Sequence, residues 1–190
     1  MAELTAPPAR LTHRLRAVMF VDVVDSVRIV QADPEGAVVR WRDYAAAAVR
    51  DDIEPRGGRV VKTTGDGMLA EFGGATDAFE AALAMQSRAE RGNAALAPEL
   101  RIRLRIGINF ADVIADEIDL YGDAVNLAAR LMALGGADEI IVSAAVRDHL
   151  TDGLGVRIED LGERRLKGID RPVRAFRALP PGPSRPRSEE

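Results

Sequence analysis

The chain has 190 residues, a length that suits one domain with a sizeable core, and its 47% hydrophobic content is typical of a globular protein. Its formal net charge of −4 argues against a basic nucleic-acid-binding module. Because it has no cysteine and only two histidines, disulfides, thiolate zinc sites and histidine-rich metal centres are excluded, and carboxylates that hold Mg²⁺ or Mn²⁺ are the expected metal ligands. The apolar runs are too short to span a bilayer and residues 1–16 lack the apolar stretch of a signal peptide, so we expect a cytoplasmic protein without a membrane segment.

The first third of the chain predicts a leader, a strand and a helix. Residues 1–15 are rich in Ala, Pro and Arg and are predicted to form a flexible leader. The apolar, β-branched residues 17–24 predict a central buried strand. A helix should begin at Asp33 and Pro34, since Asp is a good N-cap and Pro suits the first helical position, and it should end before Pro55.

Strands and helices follow one another through the rest of the chain. Two β-type runs around Gly65-Asp66-Gly67 predict a hairpin, because Asp-Gly favours tight turns. The alanine-rich residues 75–95 predict a helix, and residues 101–108 alternate as a strand with one solvent-facing side. The later elements are predicted as a helix at 122–134, a strand at 139–142, a short helix capped by Ser143, and strands at 156–160 and 173–178.

The order of these elements predicts the fold class. A β-α-β-β-α-β order is typical of ferredoxin-like α+β proteins, in which helices flank a central antiparallel sheet. The C-terminal strands would be additions to that core. We therefore expect one domain at residues 16–178, followed by a disordered tail or linker at residues 179–190, which has almost no apolar content.

Two aspartates stand at the ends of predicted strands. Asp22 comes at the end of an otherwise apolar strand, and Asp66 lies at the tip of the hairpin. A carboxylate at the end of a buried strand is costly unless it is paired or binds a metal. Two such groups on neighbouring strands would suit two-metal phosphoryl chemistry. The alternatives are an ordinary Asp-Gly turn for Asp66 and a strand-terminal cap for Asp22.

Three further polar residues are candidates for the same site. Lys62 lies four residues before Asp66 and should be near the hairpin tip, although a solvent-facing lysine is the simpler interpretation. Asn126 and Arg130 are spaced i, i+4 and therefore share one face of the predicted helix. Because the rest of that helix is apolar or small, the pair should need a partner, either a ligand or a hydrogen-bonding patch at a helix interface.

Taken together, five segments resemble the catalytic domain of class III adenylyl and guanylyl cyclases, in its bacterial single-domain form. These segments are FVDVVDS (20–26), GGRVVKTTGDGMLAEF (57–72), RIGIN (105–109), DLYGDAVNLAARL (119–131) and LGERRLKGIDRPV (161–173). Each segment is a weak signal alone, whereas five in this order and spacing form a specific pattern. The resemblance covers the whole predicted domain.

The resemblance implies an active site shared between two chains. One chain would supply Asp22, Asp66 and the backbone carbonyl of Val23, which hold two Mg²⁺ or Mn²⁺ ions per site. The other chain of a head-to-tail homodimer would supply the residues that bind ATP, which gives two equivalent sites. By the same resemblance these residues are Lys62 and Asp119 for the base, Asn126 and Arg130 for the ribose and the transition state, and Lys167 for the terminal phosphates.

The implied reaction converts ATP into 3′,5′-cyclic AMP and pyrophosphate. Metal ions would lower the pKa of the ribose 3′-hydroxyl that attacks the α-phosphate, and Arg130 would stabilise the charge that develops on the phosphate oxygens. Lys62 can donate to adenine N1 and Asp119 can accept from adenine N6. Guanine reverses both groups, so this pair favours ATP over GTP.

The turn after Asp22 departs from the family pattern. Family members usually have glycine three residues after the first metal aspartate and a hydroxyl two residues later, where this chain has Asp25 and Val27. Ser26 could supply a hydroxyl from the place between them, and Ala111 replaces another common glycine. Asp25 could repel the triphosphate, bind the metal, or cap the following turn.

Two alternative functions stay open at this point. One is a catalytically weak or silent cyclase-like domain that only dimerises or binds nucleotide, which the changed turn favours. The other is a guanylyl cyclase, which Lys62 and Asp119 disfavour.

Overall fold

A mixed sheet with helices on both faces forms the part of the chain that the computed structural model describes, namely residues 11–116, 118–150 and 156–179. The strands within this part are β1 (Thr12–Val23), β2 (Arg59–Thr63), β3 (Gly67–Phe72), β4 (Leu104–Ala115), β5 (Leu120–Tyr121), β6 (Glu139–Ser143), β7 (Arg157–Arg164) and β8 (Val173–Leu179). The helices are α1 (Ser26–Ala32), α2 (Pro34–Ala48), α3 (Ala75–Asn93), α4 (Asp123–Leu134) and α5 (Ala144–Arg147).

The predicted ferredoxin-like α+β core is confirmed. Four strands lie in the order β2-β3-β1-β4, and every neighbouring pair among them is antiparallel. Beyond β4 the sheet continues through β6, β8 and β7, with β4 and β6 parallel, so that the complete sheet is mixed rather than antiparallel throughout. The short strand β5 pairs with the end of β4.

The two faces of the sheet have separate hydrophobic cores. On one face α2 and α3 cover alternate residues of β1 such as Met19 and Val21. On the other face α4 packs over Val18 and Leu69. Helix α4 approaches the sheet so closely that a Cβ atom at Gly107 would lie 2.2 Å from a backbone nitrogen of the helix. Glycine in β4 therefore allows α4 to lie directly against the strands that carry the candidate site.

Several predicted boundaries are corrected by the structure. Strand β1 begins at Thr12, so residues 12–15 belong to a strand rather than to a leader. Strand β4 covers Leu104–Ala115 rather than residues 101–108. The first three residues of the alternating run precede the strand, and the strand continues seven residues beyond the predicted end. The predicted solvent-facing side is confirmed for Arg101, Arg103 and Arg105, which are exposed or half-buried, whereas Gly107 farther along β4 is covered by α4. Helix α1 was not predicted, and the predicted leader before residue 11 and tail after residue 179 lie outside the described residues.

Helix α2 begins as predicted and ends in an irregular segment. The Asp33 carboxylate accepts a hydrogen bond from the Gly36 amide at 3.1 Å, which confirms the N-cap. After Ala48 the chain makes a π-helical turn, and this turn carries the buried carboxylate of Asp52. Arg88 of α3 donates two hydrogen bonds to that carboxylate, at 2.6 and 3.0 Å, and so joins α2 to α3.

Candidate active site

The structure brings Asp22 and Asp66 to the same end of neighbouring strands. Asp22 is opposite Gly67 in the β1–β3 register, and the Val23 amide donates to the Asp66 carbonyl at 3.1 Å. A Cβ atom at Gly67 would lie 2.5 Å from the Val21 carbonyl oxygen, so glycine is needed for the hairpin to approach β1 this closely. The local sequence therefore brings the backbones of both aspartates to the same edge of the core.

Each of these two carboxylates has a partner that the sequence did not predict. The Ser26 hydroxyl donates a short hydrogen bond to the Asp66 carboxylate. Arg105 of β4 donates to the Asp22 carboxylate, with Nε at 2.8 Å and Nη2 at 2.5 Å from the same oxygen. The sequence indicates that Arg105 lies in an alternating strand. It does not reveal that Arg105 pairs with Asp22, because this pairing depends on the register of β1 against β4.

The residues at this edge fit a divalent cation that shares its coordination shell with a nucleotide. Among the residues described, no three His, Asp or Glu side chains are close enough to hold a metal by themselves. Asp22 and Asp66 would thus give two carboxylates, and water and phosphate oxygens would fill the remaining positions. Mg²⁺ suits such a site because it retains several waters and is commonly bound by one or two carboxylates plus substrate phosphates.

The turn after β1 has an unusual backbone at Asp25. This residue lies in the left-handed region with φ 54° and ψ 32°, where glycine is normally favoured. Its side chain makes no capping hydrogen bond to α1, so the cap interpretation is wrong for the carboxylate; the backbone carbonyl instead accepts from the Arg28 and Ile29 amides. A positive φ at this place gives a physical reason for glycine in the family pattern.

Lys62 and Asp119 form an ion pair on the same side of the sheet as α4. The Lys62 Nζ lies 2.6 Å from the Asp119 carboxylate, and both side chains remain partly open to solvent. The Leu120 amide donates to the other carboxylate oxygen at 2.8 Å. Burial would raise the pKa of the Asp119 carboxyl, but the hydrogen bonds from Lys62 and Leu120 outweigh it and hold the pKa below its ordinary value.

A second carboxylate, Asp116, organises the loop that carries Asp119. One of its oxygens accepts from the Ile118 and Asp119 amides, both at 2.7 Å, and the other accepts from the Tyr121 hydroxyl at 3.1 Å. Hydrogen bonds from the Asp119 and Ile118 amides hold the pKa of the Asp116 carboxyl below its usual range. The sequence analysis did not single out Asp116, since its role depends on how the loop folds between β4 and β5.

Asn126 and Arg130 lie on the exposed face of α4. The opposite face of the helix packs through Val125, Ala128 and Leu131, which are buried. The Arg130 Nε donates to the Lys167 carbonyl at 2.9 Å, whereas Asn126 makes no side-chain hydrogen bond within the described part of the chain. The expected polar partner of the pair is thus found for Arg130 only.

The candidate residues fall into two groups within one chain. Asp22 and Asp66 form the first group, and the second contains Lys62 and Asp119 together with Asn126, Arg130 and Lys167. No hydrogen bond or ion pair joins the two groups among the residues that the structure describes. Lys62, Asn126, Arg130 and Lys167 are all exposed, so the second group faces outward.

This fold and this arrangement of side chains define a class, the catalytic domain of class III nucleotidyl cyclases. The family model for the adenylate and guanylate cyclase catalytic domain matches residues 12–177, and the chain belongs to that family. Among the described residues, every helix is too short or too polar to cross a membrane.

Individual relatives agree with this assignment. An adenylate/guanylate cyclase/hydrolase from Silicibacter pomeroyi has a crystal structure that matches with a TM-score of 0.80 and 35% identity, covering 90% of this chain and 99% of that one. "Putative adenylate cyclase 3" of Rhizobium meliloti is 33% identical over 171 residues, which cover 86% of this chain and 28% of that protein. "Adenylate cyclase" of Streptomyces coelicolor is 31% identical over 140 residues, or 74% of this chain and 35% of that protein. The chain spans about a third of the length of these two relatives.

Proposed function

We propose that this chain is an adenylyl cyclase that converts ATP into 3′,5′-cyclic AMP and pyrophosphate at two sites shared within a homodimer. The Lys62–Asp119 pair is the observation that carries the choice of ATP. The names of the Rhizobium and Streptomyces relatives support the same choice.

The Lys62–Asp119 pair has the hydrogen-bonding character that adenine requires. Because the pKa of Asp119 lies below its ordinary value, this carboxylate is ionised near neutral pH and can only accept hydrogen bonds. Adenine N6 supplies a donor to Asp119, and adenine N1 supplies an acceptor to the Lys62 ammonium group. Guanine would place a carbonyl against the carboxylate and an N–H against the ammonium. Such a mismatch in a closed pocket should disfavour GTP relative to ATP by about two decades or more.

The lack of a hydrogen bond or ion pair between the two groups, among the described residues, supports a site shared between two chains. Of the proposed base-reading and ribose-reading side chains, Asp119 is half-buried and the others are exposed, and no hydrogen bond or ion pair in the described part of the chain links them to Asp22 or Asp66. A pocket for a buried base needs a covering surface, which a second copy would supply. A head-to-tail arrangement would place Asp22 and Asp66 of one copy against Lys62, Asp119 and Arg130 of the other.

The chain's own residues would then have distinct tasks in the reaction. Two divalent ions at Asp22 and Asp66 would supply activation of the 3′-hydroxyl and neutralise phosphate charge. The Ser26 hydroxyl orients the Asp66 carboxylate, and Arg105 neutralises Asp22 until a cation competes for the same oxygen. Arg130, held by its Nε at the Lys167 carbonyl, keeps its terminal nitrogens for the α-phosphate oxygens of the transition state.

A silent cyclase-like domain is the second candidate, and two observations favour it. Asp25 brings a negative charge to the turn next to Ser26, and Arg105 already occupies one oxygen of Asp22. Both features would weaken the binding of a metal–triphosphate complex. A silent domain would still dimerise or bind nucleotide without turnover.

The test is to incubate the purified protein with ATP or GTP and either Mg²⁺ or Mn²⁺, and to quantify both cyclic nucleotides. We expect cyclic AMP in large excess over cyclic GMP, and no product when a chelator removes the metal. Nucleotide binding without any cyclic product would support the silent domain, and an excess of cyclic GMP would support a guanylyl cyclase.

A further inference from the structure

The loop between β4 and β5 is held together by the carboxylate of Asp116. This single side chain accepts three hydrogen bonds, from the amides of Ile118 and Asp119 and from the hydroxyl of Tyr121. The backbone adds a further bond, from the Asp116 amide to the Asp119 carbonyl at 3.2 Å. Asp116 thus holds both the N–H and the C=O group of Asp119 by hydrogen bonds.

The position of Asp119 depends on the backbone of this loop as well as on its own side-chain contacts with Lys62 and Leu120. Lys62 is a flexible lysine and is 46% exposed, so it can follow the Asp119 carboxylate over a range of positions. Strand β5 contains only two residues and constrains the loop weakly. The hydrogen bonds to Asp116 hold the backbone of Asp119, and with the Leu120 amide, which bonds the carboxylate itself, they restrain where that carboxylate lies relative to the sheet.

We propose that Asp116 is a positioning residue for base selection, which acts by holding Asp119 where it can accept a hydrogen bond from an adenine amino group. The proposal rests on the proposed function, because it assigns the determinant of ATP preference at that same site. In this role Asp116 would contact neither the base nor the metal. Its loss would let Asp119 move, and a displacement of about 1 Å at a recognition group is enough to weaken discrimination strongly.

Replacements at Asp116 separate a positioning role from a general effect on folding. Asp116→Asn keeps an oxygen that can accept from both amides, and it should retain most of the ATP preference. Asp116→Ala removes every acceptor and should lower the ratio of ATP to GTP affinity about tenfold. Asp160→Ala is a control, since the Asp160 carboxylate also accepts from a nearby backbone amide, that of Gly162, but lies in the edge strand β7, which does not pair with β4 or β5.

The experiment measures the dissociation constants of 3′-deoxy-ATP and 3′-deoxy-GTP by calorimetry in the presence of Mn²⁺. These nucleotides lack the attacking hydroxyl, so binding is measured without turnover. We expect a tenfold lower preference for the adenine analogue in Asp116→Ala, near wild-type preference in Asp116→Asn and no change in Asp160→Ala. In an Asp119→Ala background, Asp116→Ala should change the ratio by less than about twofold, because both residues act through one contact.

An unchanged ratio in Asp116→Ala would overturn the inference, and so would an equal further loss in the Asp119→Ala background. A parallel assay of cyclic AMP formation by the wild-type protein keeps the two proposals apart. Selective binding of the adenine analogue without turnover of ATP would refute the proposed activity but not the role of Asp116. Failure of the wild-type protein to bind either analogue would refute both.

Discussion

Because Asp25 has a left-handed backbone, two substitutions at this position can separate the effect of its charge from the effect of its conformation. Replacement by glycine and replacement by alanine both remove the carboxylate, which makes no capping hydrogen bond to α1. Only glycine accepts φ 54° without steric cost. Asp25→Gly and Asp25→Ala therefore form a matched pair, with the same change in charge and a different change in backbone strain.

The magnitudes follow from the exposure and the dihedral angles of this residue. A left-handed conformation costs a residue with a Cβ atom roughly 1–2 kcal/mol more than glycine, and the greater freedom of glycine in the unfolded chain offsets part of that difference. Asp25→Ala should thus be less stable than Asp25→Gly by about 1 kcal/mol, or about 2–4 °C in Tm for a domain of this size. Because solvent and salt screen an exposed carboxylate, its repulsion of a triphosphate is worth about 1 kcal/mol or less, which is up to about fivefold in KM.

The assay combines thermal unfolding with steady-state kinetics at varied Mg²⁺–ATP. If Asp25 repels the triphosphate, both variants should have a lower KM with Mg²⁺, by up to about fivefold, while only Asp25→Ala unfolds earlier. If Asp25 binds the metal, both should lose activity and the preference for Mn²⁺ should shrink. Unchanged KM in both variants would refute the repulsion, and equal stability of the two would refute the argument from the backbone.

Three further predictions concern the metal site, the core and the base. Asp66→Ala should reduce metal-dependent cyclisation by at least about a hundredfold with an unchanged circular dichroism spectrum, because it removes a proposed metal ligand but no core group. Near-normal turnover would contradict the metal assignment. Asp52→Ala should lower the free energy of unfolding by about 3 kcal/mol, since Arg88 loses its buried partner. Calorimetry should show a Tm lower by about 6–12 °C. An unchanged Tm would show that the ion pair does not stabilise the fold. Lys62→Glu combined with Asp119→Cys should shift the ratio of ATP to GTP turnover toward GTP, and a constant ratio would show that neither residue reads the base.

The sequence was sufficient to predict the fold because its local signals agreed with one another. The apolar run of β1, the Asp33 cap and the Asp-Gly hairpin each appear where they were expected, and together they define the ferredoxin-like core. Helix α1 was missed because a turn with positive φ at Asp25 precedes it, and such a backbone state has no pattern in a single sequence. The start of β4 was misplaced because alternation alone does not show where pairing with β1 begins.

The candidate site could be predicted in its residue types but not in its contacts. Asp22, Asp66 and Lys62 stood out as charges near strand ends, and the structure places them as partners of other side chains. The partners themselves, such as Arg105 and Asp116, depend on strand register and loop geometry. Strand register and loop geometry are set by tertiary packing, so the spacing of residues along the chain does not predict these contacts.

Complementation between two inactive variants would test the shared active site most directly. In the proposed mechanism Asp66→Ala removes a metal ligand and Arg130→Ala removes the cation that stabilises the transition state, so each homodimer should be inactive at both sites. A mixed dimer should contain one site with both defects and one intact site. Equal mixing gives half mixed dimers, each with one working site, and should restore about a quarter of wild-type cyclic AMP formation.

The matched control mixes Asp66→Ala with Asp22→Ala, which come from the same group of residues. Every site of that mixed dimer lacks one metal ligand, so the mixture should remain inactive. Affinity capture with two different tags measures the fraction of mixed dimers in both cases. Recovery of about a quarter of the activity with Asp66→Ala and Arg130→Ala, and none in the control, is the result that shared sites predict; continued inactivity despite proven mixed dimers would contradict them.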